Sequence, residues 1–415
     1  MNISRRQWMK FAGSAAVTSI IPHSLAAFGN DNDQPLIRDL EQPMFDLPSQ
    51  IPVPVIIESI ELLRNGSNYF VRTRSVDGAV GLTGTKQIAD FIPIFQNIVA
   101  PHFIGKDARE IESLVDSVYR ANYKLAGLPF WCPVAYVEQS ILDMLGKIAG
   151  KTVAELLGGV IRDEIPIYLS GSDRVLSAEE EVEIYVRGVA ETGAKSVKFK
   201  IGGRMSRNLD AYPGRTETLI NLARKKLGDK IDLAADANGS YDAEMGIKIG
   251  RLLEDLNFSF FEEPCPWEYY SETQNVAQAL KKIPIAGGEQ DSSLWKFRWM
   301  LENKVVHIVQ PDINYNGGLI RAKRVARFAE QSGATIVPHN TQTGQNSVFI
   351  LQFAACTKNI GSFMEYPWRR PQTTPSWYKP DFKIVDGKIK APKTPGMGLE
   401  IDPDYLKQAS VLKID

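Results

Sequence analysis

From position 165 onward, short apolar runs alternate with stretches whose apolar residues recur three and four positions apart. The runs read IPIYLS, SVKFK, DLAAD, FSFFE, PIAGGE, HIVQPD, TIVPH and GSFME. A short apolar run bounded by turn signals predicts a buried strand, and the 3.6-residue period predicts an amphipathic helix. The clearest helices are predicted over Asp242 to Leu256 and Gly318 to Glu330. The last seven runs end at Lys200, Asp236, Glu262, Glu289, Asp312, His339 and Glu365, in steps of 36, 26, 27, 23, 27 and 26 residues. A step of that size is one strand, one helix and two short loops, the unit of a parallel barrel. Strand ends that all carry reactive side chains place them on one rim, which is where such barrels keep their active sites, so the pattern points to an enzyme.

The first part of the chain has a different rhythm. Val55 to Leu62 and Tyr69 to Arg74 are strand-like around Asn65-Gly66, a hairpin signal, and Asp77-Gly78 marks another turn. From Ile88 to Asp143 the spacing becomes helical, so residues 49–164 read as an α+β unit. The barrel is expected over 165–370, with Ile165 to Ser170 as its first strand. Residues 371–415 show little periodicity and are expected to pack back on the first domain, because an irregular segment of that length lacks a core of its own.

Composition narrows the class. With 415 residues, 44% hydrophobic and 23% charged, the chain is an ordinary globular protein, long enough for a barrel and a smaller domain. Its 48 Lys and Arg against 49 Asp and Glu give no electrostatic reason to expect nucleic acid or an anionic membrane as partner. At the N-terminus, Ser4-Arg5-Arg6-Gln7-Trp8-Met9-Lys10 precedes an apolar run from Phe11 to Ile21 that is too short to span a bilayer. Ser24-Leu25-Ala26 then offers small residues where a signal peptidase reads. The layout resembles a twin-arginine export signal, 1–26, followed by a polar linker, 27–48. The mature protein is expected in the periplasm, beginning near Ala27 and without a membrane anchor. Cys132, Cys265 and Cys356 are too scattered for a disulfide framework and are expected to be free, buried thiols.

The rim residues define a chemistry. Asp236, Glu262 and Glu289 follow three adjacent strands, and carboxylates brought that close repel unless a divalent cation neutralises them. All-oxygen ligation suits Mg²⁺, and the lack of an accompanying Cys or second His argues against zinc. Lys198 and Lys200 alternate on one strand and share a face. Asp312 precedes His339 by one barrel unit and is placed to hold one ring nitrogen while the other faces substrate. A small carboxylate bound to the metal would present its α-proton to Lys200 or His339. The charge that develops would meet the metal, Lys198 and Glu365, the last helping only if it is protonated or shares a proton.

Lys198-Phe199-Lys200, Asp236-Ala237-Asn238, Glu262-Glu263-Pro264, Gly288-Glu289, Pro311-Asp312 with Gly317-Gly318, His339 and Glu365 resemble the enolase superfamily, specifically its mandelate racemase-like branch. Ile141 to Lys147 and Leu156-Leu157-Gly158-Gly159 extend the resemblance toward the N-terminus. It implies an α/β fold, a (β/α)7β TIM-like barrel with an N-terminal α+β capping domain, and a homo-oligomer. It also implies that Glu262 is the ligand of its pair, with Glu263 facing the other way as strand alternation requires. Two departures lie in the region that chooses substrate. The hairpin at Asn65-Gly66 is short where the family often has a long loop, and Gly81-Leu82-Thr83-Gly84 lacks the acidic residue often found there.

Three functions remain open at this point. The leading one is a lyase that dehydrates a sugar acid or similar hydroxy acid through a metal-stabilised enediolate. The second is a racemase, epimerase or cycloisomerase of a carboxylic acid, since bases on both faces serve two-sided proton exchange. The third, of another class, is a carboxylate-binding protein that has lost catalysis, against which stands the presence of every base and ligand.

Overall fold

The computed structural model describes residues 42–86, 88–171, 174–368 and 375–412. The segments expected to be an export signal and, for the most part, its linker lie outside the described residues. Among the described residues no helix is long and apolar enough to cross a membrane.

The capping domain begins with an antiparallel meander. Strand β1 (Ile57–Asn65) turns at Gly66, whose φ of 60° suits a residue without Cβ, into β2 (Asn68–Ser75), which pairs with β3 (Val80–Gly84). After several short helical turns come two longer helices, α1 (Ile111–Ala121) and α2 (Leu128–Ala149). Helix α2 is buried without interruption from Phe130 to Gly146, so it behaves as an interior helix wedged between sheet and barrel. Its contact with β3 is close enough that a Cβ at Gly81 would lie 1.9 Å from the Ser140 carbonyl oxygen.

The barrel is built from eight parallel strands. In chain order these are β4 (Glu164–Ser170), β5 (Ser196–Lys200), β6 (Asp232–Asp236), β7 (Phe260–Glu262), β8 (Ile285–Gly287), β9 (Ile308–Val309), β10 (Thr335–Ile336) and β11 (Met364–Pro367). Each strand from β4 to β9 pairs with its successor, β10 pairs with β9, and β11 returns to pair with β4. A parallel bridge between Ile336 and Ile360 draws β10 toward the segment that enters β11, which closes the ring. The intervening helices are α3 (Ala178–Thr192), α4 (Arg215–Leu227), α5 (Ala243–Asp255), α6 (Tyr270–Ala279), α7 (Leu294–Glu302), α8 (Leu319–Gln331) and α9 (Val348–Cys356). With eight strands and seven helices between them, the architecture is the (β/α)7β barrel. Local signals start the helices where the sequence suggests. Ser177 and Glu180 form a reciprocal capping box on α3, and the Asp242 side chain caps α5.

Cap and barrel are joined by buried polar contacts. The Glu138 carboxylate, on α2, accepts the backbone N–H groups of Leu319 and Ile320 at 2.8 Å each, at the start of α8. Gly318 permits this approach, since a Cβ there would fall 2.3 Å from Glu138 Oε2. Gln139 donates to Asn314 Oδ1 at 2.8 Å. The C-terminal segment touches both domains. Lys388–Lys390 lies antiparallel on β4, while Ser410–Val411 extends the cap sheet beside β1. Trp377 stacks on Tyr405 with centroids 4.4 Å apart and meets Phe70 of β2 edge-on. The segment is thus more ordered than its lack of periodicity suggests, because its partners are distant in sequence. The three cysteines are free and buried.

Candidate active site

The rim at the C-terminal ends of the barrel strands gathers all eight side chains singled out from the sequence. Lys198 and Lys200 point to the same interior face of β5, and both are buried. Lys198 Nζ lies 2.6 Å from Glu262 Oε2, 2.9 Å from Glu365 Oε1 and 3.8 Å from Asp236 Oδ2. Burial works against its charge, but these carboxylates outweigh it and hold the ammonium well above its ordinary range. Lys200 forms an ion pair with Asp236 Oδ2.

Asp236, Glu262 and Glu289 are buried, and one oxygen from each lies within 4.8 Å of the others. Asn238 fixes Asp236 by donating its backbone N–H to Oδ1 at 2.7 Å, and Gln310 donates to Glu262 Oε2 at 2.8 Å. Burial and then the neighbouring Asp236 push Glu262 up to about 8, whereas Lys200 and Lys198 overcome burial and hold Asp236 low. Glu262 Oε1 and Glu289 Oε2 are buried and accept no hydrogen bond. Buried carboxylate oxygens without donors are costly, and a divalent cation among them supplies both counter-charge and ligation. The residues therefore fit Mg²⁺.

His339, three residues past β10, is oriented from behind. Its Nδ1 lies 2.9 Å from Asp312 Oδ2, and Asp312 Oδ1 accepts the backbone N–H groups of Asn314 and Tyr315 at 2.8 and 3.2 Å. His339 Nε2 faces the carboxylates, 3.2 Å from Glu289 Oε2 but off the hydrogen-bonding direction. Burial lowers its proton affinity, yet Glu289 and the Asp312 hydrogen bond raise it to about 9. Lys200 on β5 and His339 after β10 flank the strands that carry the three carboxylates.

One expectation is corrected. Glu263 does not face away from the site. Its φ of 40° breaks the strand alternation directly after β7, and its buried carboxyl is raised by burial and by Glu289, Asp236 and Glu262. Glu365, expected to help only if it is protonated or shares a proton, has surroundings that favour the ionised form. Lys198 and His339 overcome burial and pull it down to about 2, and it accepts Ser170 Oγ–H at 2.6 Å and the Asn340 N–H at 2.9 Å. Its Oε1 also holds Lys198 Nζ at 2.9 Å. The sequence reading missed Ser170, Gln310 and Asn340. Gln310 carried a signal, since it precedes Asp312 by two and alternation puts both on one face.

Comparisons with known proteins follow the same lines. Residues 48–158 match the family model for the mandelate racemase / muconate lactonizing enzyme N-terminal domain, and 181–405 match that for the enolase C-terminal domain-like family. An arabinonate dehydratase of Saccharolobus solfataricus is 28% identical over 313 residues, 74% of this chain and 80% of the relative. A mandelate racemase/muconate lactonizing protein from Paracoccus denitrificans, solved in complex with magnesium, is 26% identical with a TM-score of 0.80 over 87% of this chain and 100% of its own. The 3,6-anhydro-D-galactonate cycloisomerase from Zobellia galactanivorans is 25% identical with a TM-score of 0.72, covering 87% of this chain and 100% of its own. Both sugar-acid dehydration and racemase or cycloisomerase chemistry fit these relatives.

Proposed function

The chain belongs to the mandelate racemase / muconate lactonizing enzyme family of the enolase superfamily, and from that premise we propose that it is a Mg²⁺-dependent hydro-lyase acting on a sugar acid. The observation that carries this reading is the His339–Asp312 pair standing across the carboxylate cluster from Lys200. Asp236, Glu262 and Glu289 would hold the ion, which supplies Lewis-acid stabilisation of the charge that gathers on the substrate carboxylate as its α-proton leaves.

The chain's own groups do the rest. Lys200 Nζ, in its neutral amine form, takes the proton from the α-carbon on one side and becomes the ammonium that pairs with Asp236. His339, held by Asp312 with Nε2 toward substrate, delivers a proton to the β-hydroxyl, so the carbon–oxygen bond breaks and water leaves. The enol that remains tautomerises to a 2-keto acid. Lys198, clamped by Glu262 and Glu365, places a fixed positive charge beside the carboxylate end. Bases on both sides also suit racemisation or cycloisomerisation, which is the second reading.

Incubating the protein with Mg²⁺ and a series of aldonic acids should yield a 2-keto acid from at least one of them. α-Proton exchange in deuterated water with no 2-keto acid from any would move the assignment to an isomerase.

We further propose export through the twin-arginine route, motivated by Ser4-Arg5-Arg6-Gln7-Trp8-Met9-Lys10. Replacing Arg5 and Arg6 by lysine should leave the protein in the cytoplasm. Fractionation that still finds mature protein in the periplasm would refute this route.

A further inference from the structure

One guanidinium ties the strand of Lys200 to the strand of Asp236. Arg174 lies in the connection between β4 and α3, and its fork spans the ends of the next two strands. Nε donates to the carbonyls of Ile201 at 3.2 Å and Gly202 at 2.9 Å, directly after β5. Nη2 donates to the Ile201 carbonyl at 2.9 Å, to the Asp236 carbonyl at 3.3 Å and to Asn238 Oδ1 at 3.1 Å. Holding so long a side chain in one geometry sacrifices much of its rotamer freedom. Most of what it grips is backbone, and Asn238 is the exception.

Asn238 joins that fork to the carboxylates. It is buried, with a φ of 42°, and it meets Asp236 twice. Its backbone N–H donates to Oδ1 at 2.7 Å, and its side-chain Nδ2 donates to Oδ2 at 3.2 Å. Nδ2 also lies 3.5 Å from Glu263 Oε2. A carboxamide has two ends of similar size and opposite polarity, so its neighbours decide which end faces the carboxylates. An arginine offers donors and no acceptor, and beside Arg174 Nη2 only Oδ1 is accommodated. Arg204, an exposed residue, adds a second donor to Oδ1 at 3.4 Å. Turned round, the amide would set its oxygen against Asp236 and Glu263 and its NH₂ against two guanidiniums.

We propose that Arg174 is a positioning residue for the metal site. It fixes the Asn238 amide with its nitrogen toward the carboxylates, and the amide holds the plane of the Asp236 carboxylate in the orientation that ligates the ion. Outer partners that orient a metal ligand typically set 10- to 100-fold in affinity. The inference rests on the three-carboxylate metal site of the reading above and is independent of which acid the enzyme takes. Because the same fork grips the carbonyls after β5, the strand that carries Lys200 and the strand that carries Asp236 are held together at their rim ends.

The test is titration calorimetry of the full chain with MgCl₂, with the melting temperature of the metal-free protein measured alongside. Arg174→Met should weaken Mg²⁺ binding about tenfold. Arg174→Lys, which offers one donor nitrogen in place of Nε and Nη2, should fall between that variant and the wild type. Asn238→Gly removes the amide, keeps the backbone N–H and suits the positive φ. In that background Arg174→Met should cost less than about threefold more, since no amide remains to orient. A merely structural role would give the same loss with and without the amide. That result, or an unchanged Mg²⁺ affinity in Arg174→Met, overturns the assignment. If Arg174→Met shows no cooperative melting, Arg174→Lys and Asn238→Gly form the same cycle, and additive losses overturn it. A wild type that binds no Mg²⁺ removes the metal site and the assignment with it. Binding that follows the cycle in a protein that converts no aldonate leaves the assignment standing and sinks the hydro-lyase reading instead.

Discussion

Replacing His339 with asparagine should stop 2-keto acid formation while exchange of the α-proton with deuterated solvent continues through Lys200. Asparagine fills part of the imidazole volume and offers Asp312 a hydrogen-bond partner, so the loop after β10 keeps its anchor. What it lacks is a proton to give to a leaving hydroxyl. Loss of general acid catalysis costs roughly 10² to 10⁴ in rate, and hydroxide is so poor a leaving group that the effect belongs at the upper end. Lys200 lies on the other side of the carboxylate cluster, on β5, and its ion pair with Asp236 does not involve the histidine. Exchange of the α-proton followed by proton NMR, with 2-keto acid measured in the same tube, reads both events. If the enzyme is instead a racemase, the same variant should lose racemisation and retain exchange for one enantiomer only. A variant that turns over at the wild-type rate would remove His339 and Asp312 from the mechanism.

The rim was legible in the sequence because a barrel repeats. Each functional residue sits near the C-terminal end of its strand, so the period of the βα unit located Lys200, Asp236, Glu262, Glu289, Asp312, His339 and Glu365 without any knowledge of contacts. Where local geometry departs from that period the reading failed. Glu263 was assigned to the opposite face by alternation, but alternation ends with β7, and a φ of 40° swings the next side chain back toward the carboxylates. Glu365 lies inside β11 and not at its end, and its ionisation depends on Lys198 and Ser170 from two other strands. The contact of Lys86 with Tyr315 and Thr341 carried no signal at all. It joins a lone lysine after a short cap strand to hydroxyls more than two hundred residues away in the chain. The docking of Glu138 on the start of α8 was hidden for the same reason, although the paired Gly317-Gly318 that makes room for it was visible.

Glu262→Gln should weaken Mg²⁺ binding by more than about 100-fold, since losing even an outer-shell partner of a metal ligand typically costs 10- to 100-fold. The substitution keeps the shape of the side chain and removes its charge. Glu262 Oε2 is already claimed by Lys198 at 2.6 Å and Gln310 at 2.8 Å, both donors, so the new amide must turn its oxygen toward them. Its NH₂ group then replaces Oε1, the buried oxygen that accepts no hydrogen bond and is free to ligate a cation. A donor would face the ion where a lone pair is needed. The fold should survive, because Lys198 retains Glu365 at 2.9 Å and is not left as an unpaired buried charge. Titration calorimetry with MgCl₂ measures the affinity directly. The rise in melting temperature on adding Mg²⁺ offers an independent readout, since an ion that binds only the folded chain stabilises it in proportion to the logarithm of one plus the ratio of free ion to Kd. In the variant that rise should shrink sharply while the melting temperature without metal stays close to that of the wild type, because burial and Asp236 push Glu262 up to about 8 and leave it little charge at neutral pH when no ion is bound. Unchanged affinity in the calorimeter would place the ion elsewhere and dissolve the case for Asp236 and Glu289 as well, because the three oxygens are close enough to share a single site.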